Sequence, residues 1–372
     1  MLFIPHKPLY ITGASYISAE EPDYKEVITD ATSRRRMGRL LKMAVWCGLK
    51  SLEGVPSEMV AGIITSTGAG FMKDTISFGS SIFDREETLL NPSPFMQSTF
   101  NTASGYIALI RKIHAYNTTY VQQADGFAAS LVDAAMLLDD AGEGNVALVG
   151  AFDEVTPEVD VIRQRLGLYR VGDGFLPLGE GAAAFLLSAA MPTDVSESCP
   201  ATEMSAGPGG DAGSESDSGQ SGDEAGYESA SEHGGDANSE CSTGHLHESE
   251  SASWPCDESS SESSSEPLHE SGETSSRSLN GTKDGNAALR FCGLANLSDL
   301  PKCAANPIAE LFGINAGVNV ISCADHVESL GAFRSMLPVL LCKLISEQKI
   351  PDGYTAIMDD VNENGVIVLL HK

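Results

Sequence analysis

Thr118-Thr119-Tyr120-Val121-Gln122-Gln123-Ala124-Asp125-Gly126-Phe127-Ala128-Ala129-Ser130-Leu131 changes its pattern midway. A β-rich run leads into two glutamines and a turn of small residues. An alanine-rich helical pattern then continues through Asp133, Ala134, Ala135, Met136, Leu137 and Leu138. This is a strand-turn-helix elbow. Such a turn presents one side chain at the start of a helix, where unpaired N–H groups and the helix dipole favour a nucleophile or a developing negative charge.

Three further stretches flank it: Asn91-Pro92-Ser93-Pro94-Phe95-Met96-Gln97-Ser98 before, and Val149-Gly150-Ala151-Phe152-Asp153-Glu154 and Gly179-Glu180-Gly181-Ala182-Ala183-Ala184 after. In their order and spacing the four resemble the N-terminal half of β-ketoacyl-acyl-carrier-protein synthases. A lone Gly-Glu-Gly is weak, being equally a bulge or a close backbone approach; its weight here comes from its distance after Asp153-Glu154. The resemblance covers residues 8–189 well and 287–370 loosely. It implies an α/β, thiolase-like layered fold of two pseudo-symmetric halves.

Composition divides the chain further. The 372 residues carry a net charge of −29, which argues against nucleic-acid binding, since that needs a basic stripe. About 21 acidic against 2 basic side chains fall between Met191 and Asn286, roughly two-thirds of the excess. That segment is Ser, Gly, Glu and Asp with too little apolar surface to offset the entropy of ordering it. The expected division is therefore residues 1–190 as a synthase-like N-terminal half, 191–286 as a disordered acidic linker, and 287–372 as a shortened C-terminal thiolase-like half. The linker holds His233, His245, His247 and His269, whose irregular spacing reads as solvated rather than metal-binding. Eight cysteines follow no metal-ligand spacing, and no run approaches membrane-spanning length, so a cytoplasmic protein with reduced thiols is expected.

Along the chain, Leu9 to Ile17, Met59 to Ser66, Thr118 to Gln122 and Asn145 to Gly150 read as strands, and Phe175 to Leu187 carries the Gly-Glu-Gly motif into a last strand of this half. Helices are expected from Ser33, and from Asn101 to His114 with Ile107, Ala108, Ile110 and Ile113 facing inward. The alternation implies βαβ units and a parallel central sheet. Beyond the linker, Ala287 to Leu294 and Val318 to Ser322 read as strands and Pro307 to Phe312 as a short helix. Glu328 to Leu344 is one helix with Leu330, Phe333, Leu337, Leu340, Leu341 and Leu344 on one face. Tyr354 to Met358 and Gly365 to Leu370 form a closing hairpin at Asn364-Gly365.

The chemistry of the resemblance is incomplete in this chain. Synthases of this family hold the acyl chain on an elbow cysteine and polarise the malonyl thioester with two histidines, because the enolate needs donors aimed at its oxygen. The register places Gln123 at the nucleophile, or Gln122 if it slips by one, and no cysteine lies between Cys47 and Cys199. The first histidine's His-Gly-Thr-Gly-Thr stretch is missing. Matching Gly331-Ala332 to the family's Gly-Ala turn puts Glu328 at the second histidine, with His326 a displaced candidate.

A glutamine nucleophile position occurs in chain-length-factor subunits and in decarboxylating loading domains; the latter keep both histidines, so the former fits better. The shortened form also resembles synthase-like proteins of aryl-polyene or flexirubin pigment clusters. The resemblance implies a dimer, as a heterodimer with a complete ketosynthase or else a homodimer, with Thr118 to Gln122 at the interface and Phe95, Met96, Phe100 and Phe127 shaping a substrate tunnel, though core packing explains any one of those four equally well. It implies no cofactor of the chain's own, acyl groups arriving on the phosphopantetheine arm of an acyl carrier protein. Arg34, Arg35, Arg36 and Arg39 would dock that acidic carrier, or form a solvated helix entrance. The alternatives are a malonyl decarboxylase using Gln123 and His326, and a non-enzymatic scaffold whose acidic linker recruits basic partners.

Overall fold

The computed structural model describes residues 1–18, 20–85, 87–122, 125–142, 144–191, 288–362 and 364–372. The elements below belong to one compact unit, Met1–Ser198 with Gly272–Lys372. Apart from Met191, the expected linker 191–286 lies outside the described residues.

Nine strands make the main sheet: β1 Leu9–Ile17, β2 Val60–Ser66, β3 Tyr116–Tyr120, β4 Val146–Asp153, β5 Gly181–Ser188, β6 Arg290–Asn296, β7 Val318–Ser322, β8 Tyr354–Met358 and β9 Val366–His371. Their order is β7-β8-β9-β6-β1-β5-β4-β2-β3, with Leu2–Phe3 pairing onto β6. Strand β2 runs parallel to β3 and β4, and β7 parallel to β8, whereas β4–β5, β1–β5, β8–β9 and β6–β9 are antiparallel. The sheet is thus mixed, not parallel as the alternation of elements implied. Strands β4 and β5 are buried at every residue, and a continuous apolar run reports burial on both faces without encoding direction.

The order β6-β9-β8-β7 repeats β1-β5-β4-β2, with the same parallel pair at the far end of each. The two sets join where Leu9 and Tyr10 pair with Phe291 and Arg290. Among the described residues β3 has no counterpart beyond β7, so the C-terminal set there is one strand narrower.

The main helices are α1 Arg39–Ser51, α2 Met72–Asp84, α3 Pro92–Ser98, α4 Thr102–Arg111, α5 Asp125–Asp140, α6 Pro157–Leu166, α7 Pro307–Leu311, α8 Val327–Leu330 and α9 Met336–Ser346. Alternation along the strands sorts the core into layers. Ile63, Leu148 and Leu186 pack with Leu41, Val45 and Leu49 of α1 and Ile107 of α4 on one face. Ile64, Val149 and Phe185 point the other way, into a central layer with α5 and α9 that also receives Ile357, Val368 and Leu370 of the C-terminal set. Ala356, Ile367 and Leu369 close the far face with Ile308 of α7. This is a thiolase-like five-layer α/β arrangement of two pseudo-symmetric halves.

Three expected helices differ. The helix expected from Ser33 is two: a short turn Ala31–Arg36, capped by Asp30, and then α1. Between them Gly38 is extended, and its N–H donates to Gln97 Oε1 at 2.7 Å, a long-range bond no local pattern encodes. The helix expected over Glu328 to Leu344 breaks at Gly331, which has φ +73°. A strand-like contact forces the break: Ala332 N–H donates to the Pro177 carbonyl and Gly179 N–H to that of Ala332. A Cβ on Gly179 would lie 1.9 Å from the Leu330 oxygen, so the Gly-Glu-Gly motif is a close backbone approach. The apolar face expected on this segment is buried throughout. Helix α4 buries Ile107 but leaves Ile110 40% and Leu109 74% exposed, against the expected inward face for Ile110. No described helix is long and apolar enough to cross a membrane.

Candidate functional site

The elbow sits where β2, β3 and β4 end. In open α/β sheets, the crevice outside the carboxyl ends of parallel strands is where ligands bind. Thr67 N–H donates to the Tyr120 carbonyl at 3.0 Å, and the Asp125 N–H at the start of α5 to that of Gln122 at 3.0 Å. Gly126 brings α5 close to β2: a Cβ there would be 3.5 Å from Ser66 Cβ. Gln123 itself, with Ala124, lies outside the described residues.

Beside the elbow is a buried polar clasp. Asp153, ending β4, accepts on Oδ1 from Thr67 Oγ1 (3.0 Å), Gly68 N–H (2.8 Å) and Ala69 N–H (3.2 Å), and on Oδ2 from Ser335 Oγ (2.5 Å). Burial pushes its carboxyl above the usual carboxylate range, and the four donors oppose that shift. A second buried carboxylate, Asp359, accepts from the Asn362 backbone N–H and on both oxygens from its side-chain amide, which also reaches the Phe333 carbonyl. Burial raises Asp359 as well, again against its hydrogen bonds. Asn362 Oδ1 in turn accepts from the Tyr169 hydroxyl at 2.7 Å. Arg334 lies over the Tyr169 ring, its guanidinium carbon 5.7 Å from the centroid.

The motif carboxylates are used structurally. Glu154 accepts from Lys73 N–H in the first turn of α2, a placement that complements the helix dipole. Burial raises its carboxyl, with Asp74 and Glu180 adding to the rise. Glu180 accepts from Val155 N–H and pairs with Arg39. An open cleft of about 450 Å³ runs along α6, lined by Val155, Thr156, Pro157, Asp160, Arg163 and Leu178; it contains none of the residues the sequence selected.

The described ones among those residues lie on separate elements. Glu328 is exposed on α8 and His326 half-buried at its start. Phe127 is core, edge-to-face with Phe185 at 6.0 Å. Phe95, Met96 and Phe100 remain exposed on and after α3, Phe95 packing against Phe78 at 5.1 Å. Phe100 also covers Gly70. Arg39 is taken by Glu21 and Glu180, and Arg34 donates to the Ile28 and Thr29 carbonyls, leaving Arg35 and Arg36 exposed. Cys47, Cys323 and Cys342 are buried, with thiols raised by desolvation, Cys47 and Cys323 well above the ordinary value. Cys292 is raised for the same reason. Desolvation thus disfavours the thiolate form at all four.

The sequence reading missed Thr67, Tyr169, Arg334, Ser335 and Asp359. Asp153 carried a signal, an acid closing a wholly apolar run, but nothing local pairs it with Ser335, 182 residues away.

Residues 14–174 match the family model described as the β-ketoacyl synthase, N-terminal domain. This stretch is thus similar to a β-ketoacyl-synthase N-terminal domain. It holds the elbow, the Asp153-Glu154 strand and strand β3, whose outer edge is open among the described residues. Among solved structures, the ishigamide ketosynthase/chain length factor is similar over 98% of this chain and 99% of that one, with TM-score 0.55 and 12% identity. AntDE:AntF, a type II PKS acyl-carrier protein in complex with its ketosynthase bound to the hexaketide, gives TM-score 0.54 and 13% identity over 98% and 99%. The ketosynthase (ApeO) in complex with its chain length factor (ApeC) from Xenorhabdus doucetiae covers 49% of this chain and 79% of that one, at TM-score 0.37 and 16% identity. At these identities the two full-length likenesses show the ketosynthase fold and no more. No curated protein matches the chain.

Proposed function

We propose that the protein is a non-condensing, chain-length-factor-like subunit that pairs with an active ketosynthase in a fatty-acid or polyketide type of biosynthesis. The observation that carries this reading is a cysteine-free elbow beside an uncovered sheet edge. Strand β3 pairs only with β2, leaving its outer edge open among the described residues. Around it Tyr116, Val121, Leu109, Ile110 and Met136 are exposed. An open edge bordered by apolar side chains invites a partner strand, and a soluble protein normally covers or charges such an edge.

Gln123 would stand in the vacated nucleophile position, where an amide forms no thioester. Phe95, Met96 and Phe100 would meet the partner and shape the acyl path from this side. Carrier docking would fall to Arg35 and Arg36, since Arg34 and Arg39 are engaged within the chain. The full-length fold neighbours are themselves a ketosynthase/chain length factor and a ketosynthase bound to an acyl-carrier protein, which agrees with this reading.

The test is native mass spectrometry of the protein expressed alone and co-expressed with a ketosynthase that retains its cysteine and both histidines. A one-to-one complex supports the reading. A homodimer that ignores the ketosynthase overturns it, and malonyl decarboxylation by that homodimer would establish the rival activity.

A further inference from the structure

Arg334 stands beside the clasp without taking part in its hydrogen bonds. It stands between Phe333, whose carbonyl Asn362 caps, and Ser335, whose hydroxyl Asp153 holds. Both neighbours are buried and Arg334 is half-buried, so its backbone is fixed and its side chain must leave towards the strand ends. Two features are built around it. Its stem lies on Gly68, where a Cβ would come within 2.5 Å of Arg334 Cγ and 2.6 Å of Cβ, so only glycine leaves the space. Its guanidinium lies over Tyr169, which holds the left-handed conformation (φ +58°) that side chains rarely adopt, and which is tied at its far end to Asn362.

A glycine and a strained tyrosine therefore hold a cation in place. Yet among the described residues no carboxylate lies within ion-pair distance of Arg334, and it donates no hydrogen bond. The nearby acids are already claimed: Asp153 by four donors, Asp359 by Asn362. In a chain with a net charge of −29, a guanidinium with all five N–H donors uncommitted among the described residues is conspicuous. Its planar fork matches an oxyanion in bidentate geometry.

We propose that Arg334 is the anchor of an oxyanion site at the carboxyl ends of β2 and β4, binding the carboxylate or phosphate of a small anionic ligand, with Gly68 and Tyr169 as its positioning residues. The site is a property of this chain alone and does not depend on a ketosynthase partner. No covalent step is involved.

The experiment is isothermal titration of the full chain without any ketosynthase, at constant ionic strength set with sodium chloride. The probes are malonate, inorganic phosphate and, as a neutral control, malonamide. Saturable one-site binding of malonate or phosphate but not of malonamide is expected. It should fall at least tenfold in Arg334→Gln, with partial retention in Arg334→Lys, which keeps the charge and loses the fork. Preference between malonate and phosphate identifies the carboxylate or phosphate source. Urea midpoints of both variants establish that they fold, and Tyr169→Leu, which removes the ring under the guanidinium, should weaken binding in the same direction. Absence of binding by the folded wild-type chain, binding unchanged in Arg334→Gln, or equal binding of malonamide overturns the proposal. Because no partner is present, these results are independent of whether the heterodimer forms.

Discussion

Ser335→Ala removes one of the four donors that Asp153 accepts, and the structure sets how that loss combines with loss of the acid itself. Both residues are buried, at 4% and 5% exposure, and their bond ties the end of β4 to the start of α9. A hydrogen bond to a charged group contributes about 1.5–3 kcal/mol net, so the serine variant should lose about that much. Asp153→Ala strands Thr67 Oγ1, the Gly68 and Ala69 N–H groups and Ser335 Oγ together. Each unsatisfied buried donor costs roughly 1–3 kcal/mol, and with water reaching some of them a total of about 3–5 kcal/mol is expected, the range for breaking a buried charged contact. Once the acid is gone the serine hydroxyl has nothing to donate to. The double variant should therefore be no less stable than Asp153→Ala alone, giving a coupling of about 1.5–3 kcal/mol. Urea unfolding at neutral pH, followed by the fluorescence of buried Trp46 and by circular dichroism, measures all four corners. Additivity of the two single losses within about 0.5 kcal/mol would refute the clasp as the link between the two halves.

Three other outcomes follow from the same geometry. Gly179→Ala places a Cβ against the Leu330 oxygen and should cost more than about 2 kcal/mol by backbone displacement, whereas Gly79→Ala in α2, with open space around it, should be neutral or stabilise by up to about 1 kcal/mol; thermal melts that rank them the other way contradict the packing. Because burial raises Asp153, the folded chain holds that proton more tightly than the unfolded one. That contribution is full below the ordinary carboxyl value of 3.8 and is lost as pH rises through the folded value. The stability of wild type relative to Asp153→Asn should therefore decline from about pH 4 towards neutrality, and urea midpoints across that range that diverge upward would reverse the sign. Leu109→Lys combined with Ile110→Lys changes only exposed positions, so it should leave the melting temperature nearly unchanged while weakening ketosynthase association at least tenfold, about 1.4 kcal/mol, as read by analytical ultracentrifugation; unchanged association would move the interface away from α4.

Where a signal is local the sequence was legible. Strands Leu9–Ile17, Val318–Ser322 and Tyr354–Met358 have the bounds that their apolar patterns predict, and the alanine-rich elbow helix begins at Asp125. Helix α2 was not predicted although its residues are as amphipathic as those of α1, and the structure buries none of them fully. Helix α6 is mostly polar, yet Thr156 capping Val159 N–H with Pro157 at the first position was a start signal in plain view. The site was legible only as an elbow with a missing nucleophile. Its supporting contacts join residues far apart in the chain, Asp153 with Ser335, Tyr169 with Asn362 and Arg39 with Glu180, and no periodicity or spacing reports such pairs. The inward assignment of Ile110 failed informatively: the residue keeps the apolar character of a buried position while facing solvent, as an interface residue does.

In the proposed role this chain contributes to condensation without performing it. The direct measurement is intact-mass analysis of acyl carrier protein after incubation with acyl- and malonyl-loaded carrier, comparing this protein alone, a cognate ketosynthase alone, and the pair. Carrier-bound β-ketoacyl product is expected only from the pair. Condensation by this protein alone, or full condensation by the ketosynthase without it, would contradict that claim.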